Sequence, residues 1–186
     1  MGIPESTTRR LILRGVREDD AHSYTKHFVD YEVIRNLNAS VPWPYPDDGV
    51  SEFICNMILP NQGENRWTWG IFPKSNPENL VGAIELWRPG TPENRGFWLG
   101  QDYWGRGMMT EAVVPIMDYA FDDLGFDVLV FSNAVGNDRS RRIKEKTGAH
   151  LVRIEPATFV DPAFTEREIW ELSKADWGQA RKQFAG

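Results

Sequence analysis

Cysteine is nearly missing: the 186-residue chain holds one, Cys55, so no disulfide can close within it, and a reducing compartment is the expectation. Histidine is scarce as well. The three, His22, His27 and His150, are scattered without metal-ligand spacing, and no bound metal is expected. No apolar run approaches the ~20 residues of a membrane-spanning helix, and no leader is visible at the start, so a cytoplasmic protein that does not use a membrane is expected. Positive charge is in deficit: 21 Lys and Arg against 27 Asp and Glu give a formal net charge of −6. That balance argues against wrapping a nucleic-acid backbone and suits a cationic partner such as an amine. Met1-Gly2-Ile3-Pro4-Glu5-Ser6 fits the loose N-myristoylation pattern, but the basic patch that stable anchoring needs does not accompany it, and the match is read as chance.

What is present reads as one domain over residues 1–186, with 41% hydrophobic and 26% charged residues. Arg9 to Arg14 alternates apolar and charged residues, as a half-buried strand does. Glu18, Asp19 and Asp20 then suit the positive end of a helix carrying Ala21, Tyr24 and Phe28 on one face. A short helix is expected over Tyr31 to Leu37. The prolines of Val41-Pro42-Trp43-Pro44-Tyr45-Pro46 forbid regular helix and favour a stiff loop presenting two rings. Asp47 or Asp48 caps the next helix, with Val50, Phe53, Ile54, Met57 and Ile58 in one stripe, Pro60 at its end, and Cys55 packed beside the stripe. Arg66 to Phe72, Leu80 to Trp87 and Arg95 to Gly100 read as an antiparallel meander of strands.

The meander runs into the most informative stretch, Trp98 to Ala112. An apolar strand, a Gly105-x-Gly107 turn and an amphipathic helix follow one another, and that order presents bare backbone N–H groups to a phosphate. The helix spans about Gly107 to Leu124, with Pro115 expected to kink it without breaking it. Val128 to Phe131 reads as a central strand buried on both faces and paired in parallel through a right-handed crossover. Asn137 caps a helix through Thr147 that ends at Gly148. Strands over Ala149 to Ile154 and Phe164 to Leu172, and a helix from Lys174 to Phe184, complete the chain.

Phe97-Trp98-Leu99, Tyr103-Trp104-Gly105-Arg106-Gly107-Met108-Met109-Thr110-Glu111-Ala112, Tyr119-Ala120-Phe121 and Asn137-Asp138-Arg139-Ser140 to Thr147-Gly148-Ala149 together resemble the GNAT superfamily of acyl-CoA-dependent N-acetyltransferases. Within it the chain looks most like the RimJ/RimL branch, which acetylates protein N-termini, notably of ribosomal proteins. The resemblance implies an α/β (α+β) fold: a mixed, twisted sheet of about seven strands flanked by helices, whose fourth and fifth strands splay around acetyl-CoA. It implies that Leu99, Gly100, Trp104, Gly105, Arg106, Gly107, Met108, Met109 and Thr110 bind the cofactor, mostly through main chain. Two departures stand out: Asp102 occupies a place where the family usually has Gln or Arg, and Asn94 one where many relatives carry an acid. Asp102 is expected to point away from the pyrophosphate.

The implied reaction is direct attack of a neutral amine on the thioester in a ternary complex. A backbone N–H near Leu99 or Gly100 would steady the oxyanion. By resemblance Ser140 protonates the leaving thiolate and Asn137 bonds the pantetheine arm, although both positions also suit an ordinary helix cap. Glu85 is the first candidate base, with Asp161 and Glu32 behind it. Trp43 and Tyr45 are read as acceptor-binding rings. The expected acceptor is a protein N-terminal α-amine; a small-molecule amine and a non-catalytic acyl-CoA sensor are the alternatives, in a monomer or homodimer.

Overall fold

The computed structural model of the chain describes residues 3–88 and 93–184. Met1 and Gly2 of the myristoylation-like start lie outside the described residues, as do 89–92 of the loop before Arg95.

Strand alternation builds the first half. β1 (Ser6–Thr7) and β2 (Leu11–Gly15) are followed by a 3-10 turn over Glu18–Asp20, then α1 (Ala21–Phe28) and α2 (Tyr31–Ile34). α3 (Gly49–Phe53) continues into a wider π-type turn over Ile54–Ile58. Val50, Ile54 and Ile58 are buried, whereas Met57, expected in the same stripe, is 47% exposed, and Cys55 is exposed rather than packed. The wider turn takes more than 3.6 residues, so it keeps every fourth side chain inward and swings the others out.

β3 (Arg66–Pro73), β4 (Gly82–Trp87) and β5 (Arg95–Leu99) complete a five-stranded antiparallel sheet in the order β1-β2-β3-β4-β5. α4 (Met108–Asp122) runs unbroken across Pro115. Its stripe of Ala112, Val113, Ile116, Met117, Ala120 and Phe121 packs with Leu11, Leu13, Trp69 and Ile71 in one core. Tyr24, Phe28, Ile34, Ile54 and Ile58 form a second core with Phe72, Leu80, Ala83 and Trp98, so helices cover both faces of the sheet. The first turn of α4 is tied down by Glu111, which accepts from Thr8 Oγ1 at 2.6 Å, Arg10 N at 2.8 Å and Arg10 Nε at 2.7 Å. Burial works to raise the pKa of Glu111, but the bonds from Thr8 and Arg10 outweigh it and hold the carboxyl below its usual value.

β6 (Val128–Ala134), α5 (Asp138–Lys146), β7 (His150–Pro156), β8 (Glu166–Ser173) and α6 (Lys174–Ala180) follow. Their strands form a separate antiparallel sheet in the order β6-β8-β7. The splay expected between the fourth and fifth of seven strands therefore lies between β5 and β6. The parallel pairing expected there does not form: among the described residues the junction is held by Asn94 N donating to Val130 O at 2.7 Å and Val130 N donating to Asn94 Oδ1 at 3.3 Å. Because β6 borders the resulting gap, it is buried on alternate residues, Leu129 and Phe131, and not on both faces as expected; Val128 is 42% exposed. α6 braces the halves from outside, where Trp177 Nε1 donates to Asp118 of α4 at 3.0 Å. Among the described residues no helix is long and apolar enough to cross a membrane.

Candidate active site

A cavity of about 920 Å³ occupies the gap between the two sheets. Its outer wall is the turn after β5. Gly105 and Gly107 hold φ of +71° and +70°, the left-handed region that favours glycine. No atom lies within 4 Å of where a Cβ on Gly105 would stand, so the turn is an open cradle that a side chain would fill. The first α4 amide to bond back is Glu111 N, to Gly107 O at 3.0 Å, which leaves the earlier amides at the helix mouth for an anion. Trp104 donates from Nε1 to Leu99 O at 2.7 Å, and the Arg139 guanidinium lies 3.7 Å over its ring, so strand end, turn and α5 are joined. The cradle therefore fits a pyrophosphate. Asp102 is exposed and does not line the cavity.

The two amides considered for an oxyanion separate cleanly. Gly100 N already donates to Val81 O at 2.8 Å, so it is not available. Amides alternate sides along an antiparallel pair, so that bond turns the Leu99 N–H away from β4 and toward the gap. Gly100 is also closed off by α1, since a Cβ there would meet His27 at 3.1 Å. Of the expected cofactor residues, Leu99, Trp104, Gly105, Gly107, Met108, Met109, Thr110, Asn137 and Ser140 line the cavity; Gly100 and Arg106 do not.

α5 supplies the opposite wall. Asn137 Oδ1 accepts from Ser140 N at 3.3 Å, so the helix cap is real, and both residues still face the cavity. Ser140 Oγ accepts from Lys144 Nζ at 2.6 Å. A hydroxyl whose lone pair is engaged in this way keeps its own hydrogen free to donate. Lys144 is 1% exposed, and burial, then the charge of Arg95, lowers its pKa well below the usual lysine value.

On the other side of β5 the cavity meets Tyr24, Phe28, Tyr45 and Glu85. Glu85 stands opposite Gly96 in the ladder, is 9% exposed, and accepts from Arg66 Nε at 2.8 Å. Burial, and then the charge of Glu85, raise the Tyr24 hydroxyl pKa. Of the three acids considered as a base, only Glu85 reaches the cavity. Asp161 bonds Arg35 at 2.6 Å, and Arg35 also holds Glu32, away from the cavity walls. Tyr45 packs edge-on to Phe28 with 5.4 Å between centroids, whereas Trp43 is 43% exposed and lies against Tyr31, off the cavity wall.

Sequence alone does not single out two basic residues that the structure brings to the same cavity. Arg95 at the start of β5 is 3% exposed, with its guanidinium carbon 3.7 Å over the Phe131 ring and 5.4 Å from Phe97. Lys144 Nζ lies 5.5 Å from Phe97 and 5.7 Å from Phe131. The available signals were that Arg95 shares a strand face with Phe97 and Leu99, and that Lys144 sits one helical turn after Ser140.

A family model described as an acetyltransferase (GNAT) domain matches residues 10–150. Bacillus subtilis (strain 168) has a protein provisionally named ribosomal N-acetyltransferase YdaF that is 34% identical over 83 residues, covering 44% of this chain and 45% of that protein. The match thus spans about half the length of that curated relative. Among solved structures, the ribosomal-protein-S5-alanine acetyltransferase of Vibrio fischeri superposes with a TM-score of 0.78 at 13% identity, over 94% of this chain and 98% of that one. The spermidine N-acetyltransferase of Vibrio cholerae, solved with CoA and spermine, gives 0.76 at 15% identity, over 91% and 99%.

Proposed function

The chain belongs to the GNAT acetyltransferase family, and from that premise we propose that it transfers an acetyl group from acetyl-CoA to a primary amine, chiefly a protein N-terminal α-amine. The observation that carries the reading is the arrangement across the gap, where the Leu99 edge and glycine cradle face a Ser140 hydroxyl held by Lys144. Acetyl-CoA supplies an activated acyl group and a thiolate leaving group. Met108 to Thr110 and the cradle of Gly105 and Gly107 hold its pyrophosphate through main-chain amides at the positive end of α4. Leu99 N–H donates to the thioester oxygen as negative charge gathers there. Ser140 Oγ–H gives its proton to the departing sulfur and regains one from solvent water, and Lys144 Nζ positions that oxygen.

The amine enters from the Tyr24, Tyr45 and Glu85 side. Glu85, engaged by Arg66, takes up the amine proton directly or through water. An α-amine with pKa ~8 is already partly neutral near pH 7, so this step needs only a weak base. The similarity to YdaF favours a protein acceptor. The test is thiol release from acetyl-CoA with a panel of N-terminal peptides, polyamines and amino acid derivatives. Release with peptides of free N-termini and not with their N-blocked forms is expected. Measurable CoA binding with no release for any acceptor would instead make the chain an acyl-CoA sensor.

A further inference from the structure

The cavity contains a feature that neither a pyrophosphate nor an acetyl group uses. Arg95 is 3% exposed, yet its Nε and Nη2 have no hydrogen-bond partner among the described residues. The remaining nitrogen, Nη1, reaches Met117 Sδ at 3.4 Å and no other acceptor among the described residues. Buried guanidinium donors without an acceptor are costly, since each forfeits its hydration. Nε and Nη2 are also adjacent, and together they form the edge on which arginine takes a carboxylate by two parallel bonds. Stacking over Phe131 at 3.7 Å engages the face of the guanidinium and leaves that edge without an acceptor; it is buried, so a ligand meets it when the Arg95 side chain turns into the cavity it lines.

The surrounding charges point the same way. Lys144, 1% exposed, shares the Phe97 and Phe131 rings with Arg95. The nearby acids are occupied. Glu168 accepts from Arg141 Nη1 at 2.7 Å on one oxygen, and from Asn133 Nδ2 at 2.9 Å and Trp170 Nε1 at 3.2 Å on the other. Glu93 accepts from Arg167 Nη1 and Ser132 Oγ, each at 2.8 Å. Two buried basic side chains thus line one cavity, and the donor edge without an acceptor belongs to Arg95. Burial lowers its pKa to about 9, which still leaves it a cation at neutral pH. The CoA phosphates belong at the far end of β5, beyond Leu99, four residues and ~13 Å of strand away.

We propose that Arg95, aided by Lys144, forms a buried carboxylate subsite between the sheets, so that one of the two substrates carries a carboxylate. This rests on acyl transfer from CoA to an amine alone, and it replaces either acetyl or the protein α-amine of the reading above as the preferred substrate. The carboxylate comes either from the distal end of a dicarboxylic acyl group or from the acceptor amine, and one experiment separates them. In the first arm, succinyl-CoA and butyryl-CoA, equal in carbon count, are titrated calorimetrically against the wild-type chain and Arg95→Leu. In the second, the chain saturated with CoA is titrated with free α-amino acids and with their α-amides.

In the arm that holds the true source, wild type favours the carboxylate by about ten- to a hundredfold, as for a hydrogen-bonded charge pair, and Arg95→Leu abolishes that preference. Acetyl-CoA affinity stays within about threefold of wild type in the variant, since acetyl has no carboxylate to lose. Arg95→Lys keeps the charge without the fork and gives a partial loss, which serves if the leucine variant does not fold. A wild-type chain without a carboxylate preference in either arm, or a preference that survives both substitutions, overturns the proposal. Both arms read binding, so absence of thiol release would count against the acyltransferase reading alone.

Discussion

Removing the Ser140 hydroxyl separates its two roles. The cap bond runs from Ser140 N to Asn137 Oδ1 at 3.3 Å, so Ser140→Ala leaves the start of α5 in place. What goes is Oγ, the proposed proton source for the departing sulfur and the acceptor for Lys144 Nζ at 2.6 Å. Losing a positioned general acid costs ~10²–10⁴ in rate, or ~3–5 kcal/mol of transition-state stabilisation. Leaving Lys144 without its acceptor costs the fold a further ~1–3 kcal/mol, within reach of a stable domain. The expected outcome is a kcat fall of ~10²–10⁴ with acetyl-CoA affinity retained within about threefold, read by thiol release and calorimetry. The defect should shrink with an acetyl donor whose thiol has a lower pKa, because such a thiolate leaves without a proton. A variant with wild-type turnover and a lowered Tm would make Ser140 a structural partner of Lys144 only.

Glu111→Gln weakens the bonds to Thr8 and Arg10 that tie α4 to the turn between β1 and β2, and should destabilise the chain by ~1–3 kcal/mol near neutral pH. Because the folded pKa of Glu111 lies below its unfolded value, this contribution is complete above the ordinary glutamate range and is lost as pH falls through the folded pKa. Urea titrations at pH 7 and pH 3 should therefore show the gap between wild type and variant closing in acid; a constant gap would refute the assignment. Gly105→Ala puts a Cβ at φ +71° with open space around it, so its structural penalty is backbone strain of ~1–2 kcal/mol. Its CoA affinity should fall by more than tenfold if the cradle holds the pyrophosphate, and an unchanged Kd would count against that. Tyr45→Ala should raise the acceptor KM while leaving that for acetyl-CoA, whereas Trp43→Ala, off the cavity wall, should have the smaller effect; the reverse order in initial-rate measurements would restore Trp43 as the contact.

Local physics explains what the sequence made readable. α4 repeats apolar residues at helical spacing from Ala112 to Phe121, and the Gly105 to Gly107 turn needs a backbone that glycine supplies most cheaply. Asn137 and Ser140 were legible as cavity-lining residues because a helix cap and a cavity-facing position can share the same spacing. Strand alternation identifies a face and not a neighbour, so nothing in Val128 to Phe131 could tell that β6 pairs with β8 instead of β5. The wider turn that exposes Met57 and Cys55 depends on packing against the sheet, since 3.6-residue spacing fits those residues equally well. Arg95 and Lys144 escaped for a simpler reason. A charged residue is read as solvent-facing until tertiary structure closes over it, and only the cavity shows that these two are interior.

The gap between β5 and β6 bears on how a ligand gets in. One backbone bond, at Asn94 and Val130, joins the two strands among the described residues, and the outer tie runs through side chains, Trp177 and Arg181 to Asp118. No ladder has to be unzipped to admit an extended molecule, because those bonds are forgone when the chain folds. The barrier to entry is then the stripping of water from the two strand edges, a matter of solvation and not of unfolding. A ligand that replaces this water with its own amides meets two strand edges that no ladder joins.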